Sequence, residues 1–166
     1  MVKFYTEIPP DLAEWAMKQQ VFFVASAPLK GKHINLSPKG LPSSSFSILT
    51  RNQCAYVDAT GSGIETVSHI QENGRCTVMF CSFETSPRIM RFFCTGRVVA
   101  WNEPQFDGWL DRMGGKKVTG ARAVVVLDVY KVCKNGRGWR RRGVLLLRLT
   151  VPLPRTWYSL PARLKE

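Results

Sequence analysis

Residues 75–99 read RCTVMFCSFETSPRIMRFFCTGRVV, two apolar runs separated by a short polar segment. β-branched and aromatic residues, which favour strands, recur through both runs. The intervening Glu84-Thr85-Ser86-Pro87 has the polar, proline-containing composition of a turn. The stretch therefore predicts two strong β-strands, over residues 75–83 and 88–99.

The sequence on both sides of this pair contains further short β-prone runs and few helical patterns. The other predicted strands cover residues 21–27, 33–37, 46–49, 54–58 and 123–130. The predicted helices cover residues 10–20, 64–73 and 104–113. Six or seven strands, mostly joined by hairpins, predict a mainly β fold, a small antiparallel β-barrel with a few helices. Closure of the barrel would remove exposed strand edges.

The composition indicates one folded domain followed by an unusual tail. A chain of 166 residues with 45% hydrophobic and 11% aromatic residues can bury a single core, which excludes a disordered protein. The net charge of +12 is typical of nucleic-acid or membrane binding, but residues 131–166 alone carry +9. We therefore divide the chain into a domain at 1–132 and a basic, atypical C-terminal tail at 133–166.

The sequence has no signal for export, a membrane span or a metal. No N-terminal basic region precedes a long apolar run, and no apolar segment approaches the ~20 residues of a membrane span. The five cysteines are widely spaced and form no CxxC pair, which favours free thiols in a reducing compartment. His33 and His69 lack partners at metal-binding spacing. A soluble cytoplasmic protein without a metal or membrane contact is expected.

The loop Thr60-Gly61-Ser62-Gly63 before the predicted helix at 64–73 is the best local candidate for an anion site. Glycines let backbone N–H groups approach a phosphate, and the two hydroxyls add donors. The loop lacks the lysine of a nucleotide-triphosphate loop and the full dinucleotide spacing. A helix N-cap is therefore the simpler interpretation of these four residues alone.

Polar side chains at Asn35, Ser37 and Lys39 alternate onto one face of a strand and form a second candidate. A polar outer strand face explains the same alternation. Arg88 and Arg91 could add phosphate charge, although surface arginines beside a hairpin are the commoner case. No pattern identifies a catalytic acid, base or nucleophile, so the catalytic residues stay unknown and a cofactor is expected to supply any chemistry.

Five blocks of sequence follow one another in a recognisable order. They are FFVASAP at 22–28, HINLSPKG at 33–40, AYVDATGSGIET at 55–66, VMFCSFE at 78–84 and PRIMR at 87–91. Together they resemble the pyridoxamine 5′-phosphate oxidase-like family over roughly residues 1–132. The resemblance implies an FMN-binding split β-barrel that works as a homodimer, with the flavin at the subunit interface.

The resemblance also implies a set of FMN-binding residues. These are Asn35, Ser37, Lys39, Thr60, Ser62, Gly63, Thr66, Cys81, Ser82, Arg88 and Arg91. On this resemblance Ser37 and Lys39 would lie on the flavin-contacting strand, and the four residues from Thr60 to Thr66 in the loop near the phosphate. Cys81 and Ser82 would lie on the strand that passes the isoalloxazine ring, and the two arginines would add phosphate or partner-subunit contacts.

The leading functional hypothesis is an FMN-dependent oxidoreductase resembling pyridoxamine 5′-phosphate oxidase. The flavin would transfer a hydride or electrons to or from a small-molecule substrate that the sequence does not identify. A flavin-binding module without turnover is one alternative. A nucleic-acid-binding protein that uses the arginines of the tail is another, and a solvated tail is favoured over it.

Overall fold

The computed structural model describes residues 2–84, 87–116 and 118–136. Within these residues eight strands form one sheet, all of whose pairs are antiparallel. The strands are β1 (Val2–Tyr5), β2 (Val21–Ser26), β3 (Asn35–Gly40), β4 (Phe46–Thr50), β5 (Gln53–Ala59), β6 (Arg75–Cys81), β7 (Arg88–Ala100) and β8 (Ala121–Gly136). The helices are α1 (Pro10–Met17), α2 (Pro42–Ser45), α3 (Ile64–Asn73) and α4 (Phe106–Arg112). The predicted mainly β fold is confirmed.

The strand order shows that the sheet curls into a split barrel. The path runs β3-β2-β6-β7-β8-β5-β4, and β1 pairs with β8 off this path. β3 lies at one end of the path and β5 near the other, yet Lys39 Nζ lies 2.7 Å from Asp58 Oδ1. β4 begins at Phe46, opposite Tyr56, and so leaves residues 57–59 of β5 without that neighbour. The barrel is therefore open between β3 and the end of β5.

Alternation along the strands builds the barrel core. In β2 every second residue is buried, which turns Phe22 inward. Its ring packs against Phe46, Tyr56 and Phe80, with ring centroids 5.1, 5.8 and 5.8 Å away. Aromatic pairs at these separations add to the stabilisation that burial provides. Leu12 of α1 joins the same core and is fully buried.

The predicted amphipathic helix at 104–113 is confirmed as α4. Trp109 and Met113 are buried against a second apolar cluster that contains Val57 of β5 and Val124 of β8. This cluster lies on the opposite face of β5 from Tyr56, because successive strand residues point to opposite faces. In the part of the chain that is described, no helix has the length and apolar character needed to span a membrane.

Three features of the fold were not predicted. β1 has mostly exposed residues and therefore no burial pattern, and pairing with residues 132–135 of β8 holds it in place. α2 is only four residues long. β8 runs on to Gly136, so residues 133–136 of the predicted tail belong to the sheet; residues 133–135 pair with both β1 and β7, and Gly136 pairs with β7. The remaining tail residues, 137–166, lie outside the described residues.

Candidate functional site

A cavity of about 270 Å³ occupies the gap between β3 and the end of β5. Its walls come from the second half of β3, the last residue of α2, the end of β5, the loop before α3 and Val118. The structure brings five of the predicted FMN-binding residues together here: Ser37, Lys39, Thr60, Ser62 and Gly63. These residues are widely separated in sequence, and the split in the barrel places them around one cavity.

A charged group formed by Lys39, Asp58 and Arg122 lies beside this cavity. Lys39 Nζ donates to Asp58 Oδ1 at 2.7 Å, and Arg122 Nε donates to Asp58 Oδ2 at 2.8 Å. The Asp58 side chain is completely buried, whereas those of Lys39 and Arg122 are 15% and 17% exposed. Two cations face one carboxylate, so the group carries a net charge of +1. A buried carboxylate needs such pairing to stay ionised.

Two glycines give the loop its shape for different reasons. Gly61 has φ 148°, a conformation that side chains rarely adopt. Gly63 has an ordinary helical φ of −61°. A Cβ there would lie 2.6 Å from Lys39 Nζ and 2.8 Å from Asp58 Oδ1. A side chain at residue 63 would therefore displace the charged group, whereas the backbone conformation there would suit any residue.

The loop supplies the N-cap of α3, as the simpler interpretation has it, but through a glycine and not through a hydroxyl. Gly63 is the N-cap of α3 and no side chain among the described residues caps the helix. Thr60 instead uses its hydroxyl to donate to the carbonyl of Gly120 at 3.0 Å. The N-terminus of α3 thus borders the cavity at Gly63 without a capping side-chain oxygen, and helix N-termini carry a partial positive charge.

Asn35 and Thr66 belong to a neighbouring hydrogen-bond network and do not line the cavity. Asn35 Nδ2 donates to Thr66 Oγ1 at 2.8 Å and lies 3.3 Å from Ser26 Oγ. Ser26 Oγ in turn lies 3.0 Å from Nδ1 of the buried His69. The network ties β2, β3 and α3 together. The roles of Asn35 and Thr66 toward FMN stay predictions.

The four remaining predicted residues lie around the β6–β7 connection, away from the cavity walls. Arg88 has its guanidinium 5.2 Å from the ring centre of Trp15 in α1. Its carbonyl accepts a hydrogen bond from the backbone N–H of Ser82 at 2.8 Å. Cys81 and Arg91 are partly buried positions in the paired strands β6 and β7. Contact of these residues with FMN also stays a prediction.

Sequence reasoning missed Asp58 and Arg122. Asp58 stands within a buried run of β5, where a lone carboxylate is a signal that a partner must exist. Arg122 is the second residue of β8, 64 positions away, and also donates to the carbonyl of Gly61 at 3.1 Å. It lies beside Asp58 because the pairing of β5 with β8 shifts register there, which leaves Arg122 between the partners of Asp58 and Ala59. No local motif marks it.

Two titratable side chains of the barrel core, Tyr56 and Cys76, are held neutral. Burial raises the pKa of the Tyr56 phenol well above its usual value, and the negative charge of Asp58 adds to this shift. Hydrogen bonding with Cys94, together with burial, raises the pKa of the Cys76 thiol. All five cysteines are free. Tyr56 and Cys76 are therefore poor proton acceptors at neutral pH. Within the described ranges, no group of histidine, cysteine or carboxylate side chains is arranged to hold a metal.

Known proteins of similar fold show how common this architecture is. A histidine-to-alanine variant of HupZ from Group A Streptococcus has a TM-score of 0.62 at 20% identity, and the match covers 77% of this chain and 99% of that protein. An FMN-binding protein from Syntrophomonas wolfei has a TM-score of 0.55 at 12% identity, covering 74% and 84%. The heme storage protein HutZ of Vibrio cholerae has a TM-score of 0.52 at 12% identity, covering 74% and 89%. At these identities the likeness shows the fold alone.

Sequence comparison identifies the family. The pyridoxamine 5′-phosphate oxidase family pattern matches residues 8–134. The pyridoxamine 5′-phosphate oxidase family protein ustO of Aspergillus flavus is 56% identical over 148 residues. That match includes 89% of this chain but only 58% of the relative, so the chain spans little more than half the relative's length. The chain belongs to the pyridoxamine 5′-phosphate oxidase family.

Proposed function

We propose that the protein is an FMN-binding oxidoreductase whose cavity between β3 and the loop before α3 holds the phosphate end of FMN. The observation that carries the proposal is the convergence of Lys39, Thr60 and Ser62 on one cavity with a net positive charge beside it. A cavity of about 270 Å³ is at the small end of ligand pockets, which favours the phosphate and its attached chain over the whole flavin.

The residues present fit a phosphate group. Lys39 offers an ammonium, Ser62 offers a hydroxyl, and the N-terminus of α3 at Gly63 offers backbone N–H groups. The Thr60 hydroxyl lines the cavity but already donates its proton to the Gly120 carbonyl. FMN, when bound, would supply hydride or electron transfer on a small-molecule substrate. The chain's own residues would bind and orient the flavin. Cys81, Ser82, Arg88 and Arg91 would serve the ring or a partner subunit.

Two exposed apolar residues support the homodimer that we include in this proposal. Phe4 of β1 and Tyr130 of β8 are both more than half exposed and line one surface groove. A second copy of the chain would cover apolar surface of this kind. Light scattering of the purified protein measures the assembly, and a monomer at all concentrations would contradict the homodimer.

The free cysteines agree with the reducing cytoplasm as the location of the protein.

We expect FMN to bind more than roughly tenfold more tightly than riboflavin, because only FMN carries the phosphate that the cavity would hold. Titration of the protein against flavin fluorescence measures both affinities. Equal affinities would contradict the phosphate site.

The absorbance spectrum of the purified protein tests the cofactor class, because a Soret band in place of flavin bands would indicate heme.

Turnover decides between an enzyme and a flavin-binding module. The second candidate is favoured by the cavity lining, which among the described residues includes no histidine, cysteine, tyrosine or carboxylate side chain. If the bound flavin is neither reduced by a nicotinamide donor nor reoxidised with a substrate, the result supports a flavin-binding module without turnover. Catalytic reduction or oxidation would select the oxidoreductase.

Replacing Lys39 or Ser62 with alanine should weaken FMN binding by roughly 1–3 kcal/mol each, the scale of a hydrogen bond to a charged group. Riboflavin binding should change much less, because it lacks the phosphate. The same fluorescence titration measures both effects. Ser44→Ala in α2 is a matched control, since this serine does not line the cavity. Unchanged FMN affinity in both cavity variants would contradict the assignment.

A further inference from the structure

We infer that Arg122 is a positioning residue for anion binding: it neutralises Asp58, so that Lys39 remains available to a phosphate in the cavity. The inference rests on the proposed phosphate site. It goes beyond that site by assigning a role to a side chain that does not line the cavity, and by explaining how a cavity with a buried carboxylate can attract an anion.

The two cations lie on opposite oxygens of the Asp58 carboxylate. Asp58 has one oxygen on each cation: Oδ1 lies 2.7 Å from Lys39 Nζ, and Oδ2 lies 2.7 Å from Arg122 Nη2. Of the two cations, only Lys39 lines the cavity. A ligand therefore meets the lysine, while the carboxylate and the arginine lie behind it.

The net charge of the three side chains depends on Arg122. With Arg122 present, the three side chains sum to +1, and Asp58 keeps an ion pair even when Lys39 turns toward an anion. Without Arg122, Asp58 and Lys39 would neutralise each other. Moving the lysine to a ligand would then leave a fully buried carboxylate without a partner, which is strongly unfavourable. Arg122 removes this competition.

Arg122 also contacts the loop before α3. Its Nη1 donates to the carbonyl of Gly61 at 3.1 Å, and its Nη2 lies 3.2 Å from where a Cβ of Gly63 would be. One guanidinium thus holds the loop beside the charged group. A guanidinium suits this role because its donors form a rigid, planar fork.

The test compares three variants in flavin fluorescence titrations and in thermal stabilisation by inorganic phosphate. Arg122→Gln should weaken FMN and phosphate binding by more than roughly tenfold. The double variant Arg122→Gln with Asp58→Asn should recover binding to within a few fold of the parent, because no carboxylate then competes for Lys39. Arg51→Gln is the matched control, since it removes the same charge from an exposed pair with Glu7 and should change nothing.

Recovery in the double variant separates charge balance from simple loop support, because loss of the Gly61 contact is common to both variants. Weak binding in the double variant, or unchanged binding in Arg122→Gln, would overturn the inference. If the parent binds inorganic phosphate with this pattern but not FMN, the proposed function fails and the inference stands. If the parent binds FMN and the pattern is missing, the inference alone fails.

Discussion

Replacing Phe22 with alanine is expected to lower the free energy of unfolding by about 3–5 kcal/mol, the usual cost of emptying a fully buried aromatic position. Phe22 is completely buried, and its ring touches Phe46, Tyr56 and Phe80 at the centre of the barrel. The neighbouring strands are tied into one sheet and cannot collapse fully into the space. Urea denaturation measures the change.

Phe83→Ala is the matched control for this prediction. Its side chain is 73% exposed, so the same substitution should change the free energy of unfolding by less than about 0.5 kcal/mol. The contrast depends on burial, since the residue type is the same. Equal losses in the two variants would show that Phe22 does not hold the barrel core together.

Replacing Gly63 with alanine is expected to lower the free energy of unfolding by roughly 1–3 kcal/mol, the scale of overpacking a tight site. It should also weaken FMN binding more than roughly tenfold. The added Cβ would lie 2.6 Å from Lys39 Nζ and 2.8 Å from Asp58 Oδ1, closer than carbon atoms approach such groups. The lysine must therefore leave its position beside the cavity. Urea denaturation and flavin titration measure the two effects.

Gly108→Ala in α4 provides the comparison, because a Cβ at that position meets no atom within 4 Å. Alanine favours helices, so this variant should be unchanged or stabilised by up to about 1 kcal/mol, with FMN binding unaffected. Normal FMN affinity in Gly63→Ala would mean that the charged group can move without consequence for the ligand. That result would also weaken the case for Lys39 as a phosphate contact.

Local periodicity was enough to predict most of the fold. The helix at 64–73 matches α3, and Gly74 ends it in the left-handed conformation with φ 71°. The two long strands at 75–83 and 88–99 match β6 and β7. In each case the pattern of apolar residues within a short window already reflects which face is buried. β1 has no such pattern, since its residues are mostly exposed and only pairing with β8 holds them.

The residues of the candidate site also fall into a predicted group and an unpredicted group. The loop residues Thr60 and Ser62 and the strand residue Lys39 were predicted, because glycine-rich loops and family motifs are local properties of the chain. Asp58 and Arg122 were not. Their contact joins residues 64 positions apart, and it arises where the pairing of β5 with β8 shifts register, between the pairs Asp58–Ala123 and Ala59–Ala121.

By itself, the sequence determined the strand and helix periods, the loop chemistry and the family, since each depends on residues close together along the chain. The tertiary structure alone decided which charges meet. Curling of the sheet brings β3 beside the end of β5, and this approach pairs Lys39 with Asp58, with 2.7 Å between Nζ and Oδ1. It also makes Gly63 necessary, although its φ of −61° would suit any residue. Electrostatic and steric contacts of this kind depend on distances in space, which sequence spacing does not report.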